Sequence, residues 1–184
     1  GDVRVGLTAG ATPAWTGCAP EDGARAVAVA AATDLAAVGA RPLAAVDCLN
    51  GGNPEDPETY GAFAATVDGL ADACADLSVP VVGGNVSLYN DSTSGPVPPT
   101  PTLAIVGERA GAERGPVPGV AAEGTGDLLL VGGSDDRLGG SAYLDVRGGS
   151  DRFPALPDDP RAVVDALGAV ARAETTRAVH AVSR

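Results

Sequence analysis

Twice in its first half this chain runs through a long, alanine-rich stretch of helical period and then directly into a short apolar run, an order that restricts the fold to few classes. In EDGARAVAVAAATDLAAV, residues 21 to 38, acids fill the first turn after Pro20 and Gly39 follows the last. Acids favour the positive end of a helix and glycine suits its exit. Val27, Ala28, Ala31, Leu35 and Val38 recur at helical spacing, which predicts one buried face. RPLAAVD then reads as a short buried strand closing on Asp47. A second helix is predicted from about Pro57 to Leu77, with Tyr60, Phe63, Ala64, Val67, Leu70, Ala71, Cys74 and Leu77 along one stripe, and VPVV is the strand after it. Strand, loop, helix and strand in this order make a βαβ-like unit, and so an α/β chain. With parallel strands, Asp47 and Gly84 lie near one sheet edge, at the carboxyl ends where such sheets bind ligands.

The rest of the chain is organised around this unit. CLNGGNPEDPE is a loop by every turn criterion, and the segment from Asp91 to Pro101 is rich in Ser, Gly and Pro before TLAIVGE resumes as a strand. The Gly/Pro-rich stretch 109–126 reads as a linker or crossover, which places a first domain at residues 1–110, a linker at 111–126 and a second, incomplete domain at 127–184. In that second part DLLLVGG is predicted to begin a strand, LGGSAYLDV to add a glycine loop and another strand, and residues 159 to 173 to be helical. There is no initiator Met, and the closing AVHAVSR has no capping or tail signal, so a fragment of a longer polypeptide is expected.

Charge narrows the function. Twelve basic residues, every one an arginine, face twenty-four acids for a formal net charge of −12. Such a surface repels a polyanion, so no nucleic-acid partner is expected. Any phosphate must be met by Arg, by backbone N–H groups or by a metal held on acids and amides. An acidic surface without lysine suits a high-salt cytosol or a GC-rich genome. Cys18, Cys48 and Cys74 are odd in number and lack a Cys-x-x-Cys spacing, so three thiols in a reducing compartment are expected in place of zinc ligands or disulfides. No apolar run reaches membrane-span length and the N-terminus lacks signal-peptide architecture, so the expected location is the cytoplasm, with no membrane partner.

The stretch VVGGNVSLYN, residues 81 to 90, concentrates the candidate chemistry. Gly83 and Gly84 suit either a tight turn at positive φ or a close approach of backbone N–H groups to a phosphate. Asn85 offers an amide oxygen that binds Mg2+ without adding charge to an acidic site, and Ser87 offers a hydroxyl to a phosphate. Asp47 has two readings, a side chain capping the next turn or a phosphate-side ligand acting through Mg2+ or on a nucleotide hydroxyl. Glu55, Asp56 and Glu58 suit a solvated face and helix start better than a metal cage, and the lone His180 suits a surface or satisfied residue better than a catalyst. No Walker loop, GxGxxG or hydrolase elbow is present.

Several segments together resemble the large, synthetase subunit of phosphoribosylformylglycinamidine synthase, the purine-biosynthesis enzyme. They are GARAVAVAAATDLAAVGARPLAAVDCLNGGNPEDPETYGAFAATVDGLADAC, VPVVGGNVSLYN, PTPTLAIVGE and LGGSAYLDV, which cover most of residues 20 to 147 in the family's order. The resemblance implies the second of two tandem aminoimidazole-ribonucleotide-synthetase-like copies. Its N-terminal domain would be a mixed sheet packed by helices, followed by the start of a C-terminal α/β domain. It also implies an ATP-dependent ligase that makes formylglycinamidine ribonucleotide from formylglycinamide ribonucleotide, ATP and ammonia. The catalytic His would lie in the first copy, so no catalytic residue is expected in this segment. By motif, Asp47 and Gly84 would contact ATP, Asn85 would bind Mg2+ and Ser87 the formylglycinamide ribonucleotide. The implied partners are the missing N-terminal half of the same chain, a glutaminase subunit and a small accessory subunit. Two departures stand out: the family usually has an aromatic where Gly51 stands, and VHAVSR replaces an expected AHDVSDGG. The alternatives are a selenide or thiamine-phosphate kinase of the same superfamily, which would not carry GNVSLYN, and a non-catalytic half that binds nucleotide to stiffen the fold.

Overall fold

The structure, a computed structural model, describes residues 2–111, 117–118 and 125–182. In chain order its elements are β1 (Val3–Gly10), α1 (Pro13–Cys18), α2 (Pro20–Ala37), β2 (Arg41–Asn50), α3 (Pro57–Asp76), β3 (Val81–Ser87), β4 (Asp91–Ser92), β5 (Gly95–Pro96), β6 (Thr100–Ala110), β7 (Val117–Pro118), α4 (Ala142–Arg147), α5 (Pro160–Arg172) and β8 (Ala178–Val179). Four strands form one mixed sheet in the order β1-β6-β2-β3. β2 and β3 are parallel and joined through α3, as the βαβ reading requires, while β6 lies between β1 and β2 and runs antiparallel to both. The α/β class therefore holds, with β3 and β1 as the two edges.

Among the described residues, helices cover only one face of this sheet. Along β6 every second residue is buried from Pro101 to Gly107. Leu103 and Ile105, both 0% exposed, join Ala45 and Leu49 of β2 in a core closed by Leu35 of α2 and Leu70 and Cys74 of α3. The opposite face presents Val5 and Leu7 of β1, each 75% exposed, and Val46 of β2, 46% exposed. No described residue packs a second layer over it.

The helix ends follow local chemistry. Pro20 opens α2 with Glu21 and Asp22 in its first turn. At its exit the Gly39 and Ala40 N–H groups return to the Ala36 and Leu35 carbonyls at 2.8 and 2.9 Å, and Gly39 at φ +75° makes that reversal without Cβ strain. Asp56 caps α3, its Oδ1 accepting from the Thr59 N–H at 2.8 Å, so this acid serves a helix start. The buried stripe of α3 is Thr66, Gly69, Leu70, Ala73, Cys74 and Leu77, rotated from the predicted one, and Tyr60 and Val67 point to solvent. The small residues decide this: at Gly69 a Cβ would lie 2.9 Å from the Glu21 carbonyl carbon, so α3 meets α2 through its narrowest face.

The later residues pack onto the same helices. Val164 and Leu167 of α5 join the core, and Phe153 meets Trp15 of α1 edge to face at 6.2 Å between ring centroids. DLLLVGG is not a strand, since no described strand pairs with it, and Leu128, Leu129 and Leu130 are 77–86% exposed. AYLDVR, predicted extended, is the helix α4, because Ser141 caps it with Oγ accepting from the Leu144 N–H at 3.4 Å. The linker expected at 111–126 lies mostly outside the described residues.

Candidate functional site

Asp47, Gly84, Asn85 and Ser87 come together on two adjacent parallel strands, β2 and β3, in a register that sets Asp47 beside Gly84, Cys48 beside Asn85 and Asn50 beside Ser87. Two expectations are corrected here. β2 does not close on Asp47 but continues to Asn50, and β3 does not stop at its glycines but runs through them to Ser87. Neither Gly83 nor Gly84 has a positive φ, so there is no tight turn, and Asp47, three residues before the strand ends, is not placed to cap one.

Strand alternation then divides the four residues between two faces. Asp47 pairs with the buried Leu103 on its other side, so its carboxylate lies on the helix-covered face. A Cβ at Gly84 would collide with Asp47 Oδ1 and lie 2.8 Å from its Cγ. The glycine is therefore needed to seat a neighbouring carboxylate. Burial raises the Asp47 pKa from its ordinary value. On the same face the Cys74 thiol is pushed up to about 11, first by burial and then by the Asp47 charge, and so stays protonated at neutral pH.

Asn85, Ser87, Cys48 and Asn50 occupy the uncovered face. The Asn85 and Asn50 amides both direct Nδ2 at the Cys48 sulfur, at 3.9 and 3.8 Å. Just beyond, the two loops leaving β2 and β3 are joined. Gly51 N–H donates to the Ser87 carbonyl at 2.9 Å, Asn90 N–H to the Gly51 carbonyl at 3.1 Å, and Tyr89 N–H to the Gly52 carbonyl at 3.0 Å. The Asn90 amide then closes the junction, Nδ2 donating to the carbonyls of Gly51 and Ser87 at 3.0 Å each, with Ser87 Oγ 3.2 Å away. Tyr89 holds φ +60°, a left-handed conformation rare for a bulky residue, and it turns the chain so that Asn90 reaches back. Gly51 also has a packing reason: a Cβ there would lie 2.6 Å from Phe63 Cδ2, so in this chain α3 supplies the aromatic that fills the space.

Chemically the uncovered face offers neutral oxygens, and the covered face one carboxylate. Among the described residues no cluster of three His, Cys, Asp or Glu could hold a metal. Asn85 carries a neutral amide oxygen of the kind a hard divalent cation accepts, and its nitrogen is turned to Cys48. β3 is an edge strand, exposed along its length from Val81 to Val86, so the edge that carries Gly84 and Asn85 is open to solvent. Sequence reading gave no role to Asn90 or to Asn50. The available signal was register: once two motif strands run parallel, the Asn closing DCLN stands opposite the Ser of GNVS.

The description of AIR synthase related proteins, N-terminal domain, matches residues 6–109. The phosphoribosylformylglycinamidine synthase subunit PurL of Natronomonas pharaonis is 59% identical over 98% of this chain and 25% of its own, and that of Halobacterium salinarum 60% over the same shares. The chain thus spans about a quarter of the length of these relatives. Among solved structures, T. maritima PurL complexed with ATP is 29% identical, with a TM-score of 0.55 over 58% of this chain and 18% of that one. The same protein complexed with FGAR gives 0.55 over 58% and 17%, and PurLQS from Thermotoga maritima 0.54 over 57% and 18%, at 29% and 28% identity. The helix of Trp15, the site strands and β6 up to Arg109 fall within the matched range.

Proposed function

The chain belongs to the family of AIR synthase related proteins, and from that premise we propose that it is part of an ATP-dependent ligase of purine biosynthesis. The whole enzyme would convert formylglycinamide ribonucleotide, ATP and ammonia released from glutamine into formylglycinamidine ribonucleotide. The relatives named PurL and the PurL structures complexed with ATP and FGAR support this reading. Phosphoryl transfer from ATP to the glycinamide oxygen, with ADP leaving, would create a leaving group, and ammonia would displace it as phosphate to form the amidine.

In this proposal the chain's residues bind and orient and move no proton. Asp47 and Gly84 meet the nucleotide, with Gly84 keeping room for the Asp47 carboxylate. Asn85 gives an uncharged oxygen to Mg2+, which when bound offsets phosphate charge. Ser87 holds the ribonucleotide substrate. The observation that carries the reading is the pairing of DCLN with GNVS on an exposed sheet edge, which places an amide and a hydroxyl side by side. Residues 1–110 would be the N-terminal synthetase-like domain, 111–126 the linker and 127–184 the start of the C-terminal domain. The uncovered sheet face would receive the N-terminal half of the same polypeptide. A glutaminase subunit and a small accessory subunit would complete the enzyme, in keeping with the PurLQS assembly of Thermotoga maritima.

A second reading, a half that holds nucleotide only as scaffold, is favoured by one observation: Asp47 and Asn85 lie on opposite faces. One experiment separates the two. In the full-length enzyme supplied with ammonia, ATP and formylglycinamide ribonucleotide, Asn85→Ala should lower turnover about a hundredfold, on the order of 3 kcal/mol of lost transition-state contact. Turnover indifferent to Asn85 would assign this half to the scaffold, and an absence of turnover in the unmutated enzyme would sink the ligase reading.

A further inference from the structure

We propose that Asn90 is a positioning residue that fixes the orientation of the Ser87 hydroxyl toward the substrate; the inference rests on the substrate-binding reading of Ser87. The argument begins with what the amide has to satisfy. Its two N–H groups meet the Gly51 and Ser87 carbonyls at 3.0 Å, Ser87 Oγ lies 3.2 Å from the same nitrogen, and Oδ1 accepts from that hydroxyl at 3.4 Å. With both N–H groups matched to the two nearer carbonyls, the Ser87 hydroxyl turns its own hydrogen to Oδ1 and leaves its oxygen to accept from a ligand donor. A serine hydroxyl that rotated freely would have to be ordered on binding, and the half-buried amide does this in advance.

A second feature supports a role beyond local packing. Tyr89 sits at φ +60°, and strained non-glycine residues persist only where the surroundings over-determine them. Here those surroundings are the Tyr89 N–H bond to the Gly52 carbonyl and the Asn90 N–H bond to the Gly51 carbonyl, which hold the β2 exit loop against the β3 exit loop. The same clasp sets the distance between the Asn50–Ser87 pair and the loop residues beyond it. Moving the amide would therefore displace the hydroxyl while leaving the Asp47–Gly84 pair, three residues back along β3 from Ser87, in its ladder.

The test uses the full-length enzyme with ammonia and compares Asn90→Ala, Asn90→Asp, Ser87→Ala and the Asn90→Asp/Ser87→Ala pair. Asn90→Asp keeps the shape but loses both N–H donors and faces two carbonyls with a carboxylate, so it remains informative if Asn90→Ala does not fold. The expected result is a rise of about tenfold in KM for formylglycinamide ribonucleotide in Asn90→Asp and in Ser87→Ala, with KM for ATP unchanged. The double variant should be no worse than the worse single, because both remove the same oriented hydroxyl. A normal substrate KM in Asn90→Asp overturns the proposal, as do effects that multiply in the double variant. A parallel rise in both KM values with a fall in Tm would reduce Asn90 to a structural tie and overturns it too. If Ser87→Ala alone leaves the substrate KM unchanged, the reading of Ser87 fails first and the positioning role falls with it.

Discussion

Between Asp47 and Gly84 a single missing carbon decides which groups the strand pair can display. Because a Cβ at position 84 would run into the Asp47 carboxyl, the two residues must be considered as one unit. Gly84→Ala is expected to cost about 1–3 kcal/mol through overpacking, read as a lower midpoint of thermal unfolding. Adding Asp47→Ala should return most of that loss, since the obstructing atoms leave with the acid. A double variant as unstable as the sum of the singles would refute the coupling. The four site residues were legible as a motif, but their division between two faces was not. That division depends on a shift in the β2–β3 ladder between Ala45 and Val46, which changes which residue stands opposite which.

The helices were more legible than the strands, and the reason lies in where each finds its partners. α2 carries its own start, stripe and stop locally, from Pro20 to Gly39 just after its last turn. α3 kept its predicted length but turned its stripe, because Gly69 and Ala73 are small enough to let α2 approach, and a count of apolar positions overlooks the value of being small. β1 was not predicted at all: its ladder partner is β6, with Val3 opposite Ala110, and no local pattern announces a partner so distant. α5 was found by period, but its attachment was not. Arg161 Nη1 donates to the Leu77 carbonyl at 3.0 Å and Arg172 Nη1 to the Gly39 carbonyl at 3.3 Å, so α5 ties down the exits of both α3 and α2. Replacing both arginines by alanine should cost about 2 kcal/mol and speed amide exchange in α5 and the last turns of α2 and α3, with β3 unaffected. Unchanged exchange in those turns would show that apolar packing alone holds α5.

At the scale of the whole molecule, a sheet covered on one side meets a strongly acidic surface. Val3, Val5, Leu7 and Val46 give the open face an apolar centre, while the net charge of −12 repels one copy from another. Residues 1–184 alone are therefore expected to associate as salt screens that repulsion, with light scattering showing a mass above the monomer in molar salt and a return toward monomer in Leu7→Glu. A monomer at every salt concentration would mean that the open face is not adhesive. The ladder between β1 and β6 also places a clock in the chain. Residues 3–10 can find no strand beside them until residues 103–110 have been made. At a synthesis pace of roughly 5–20 residues per second, that is an interval of about 5–20 s in which an apolar segment waits unpaired. The cell must shelter that segment for the whole interval, so a chaperone that engages nascent chains early would affect the yield of this protein more than one acting after release.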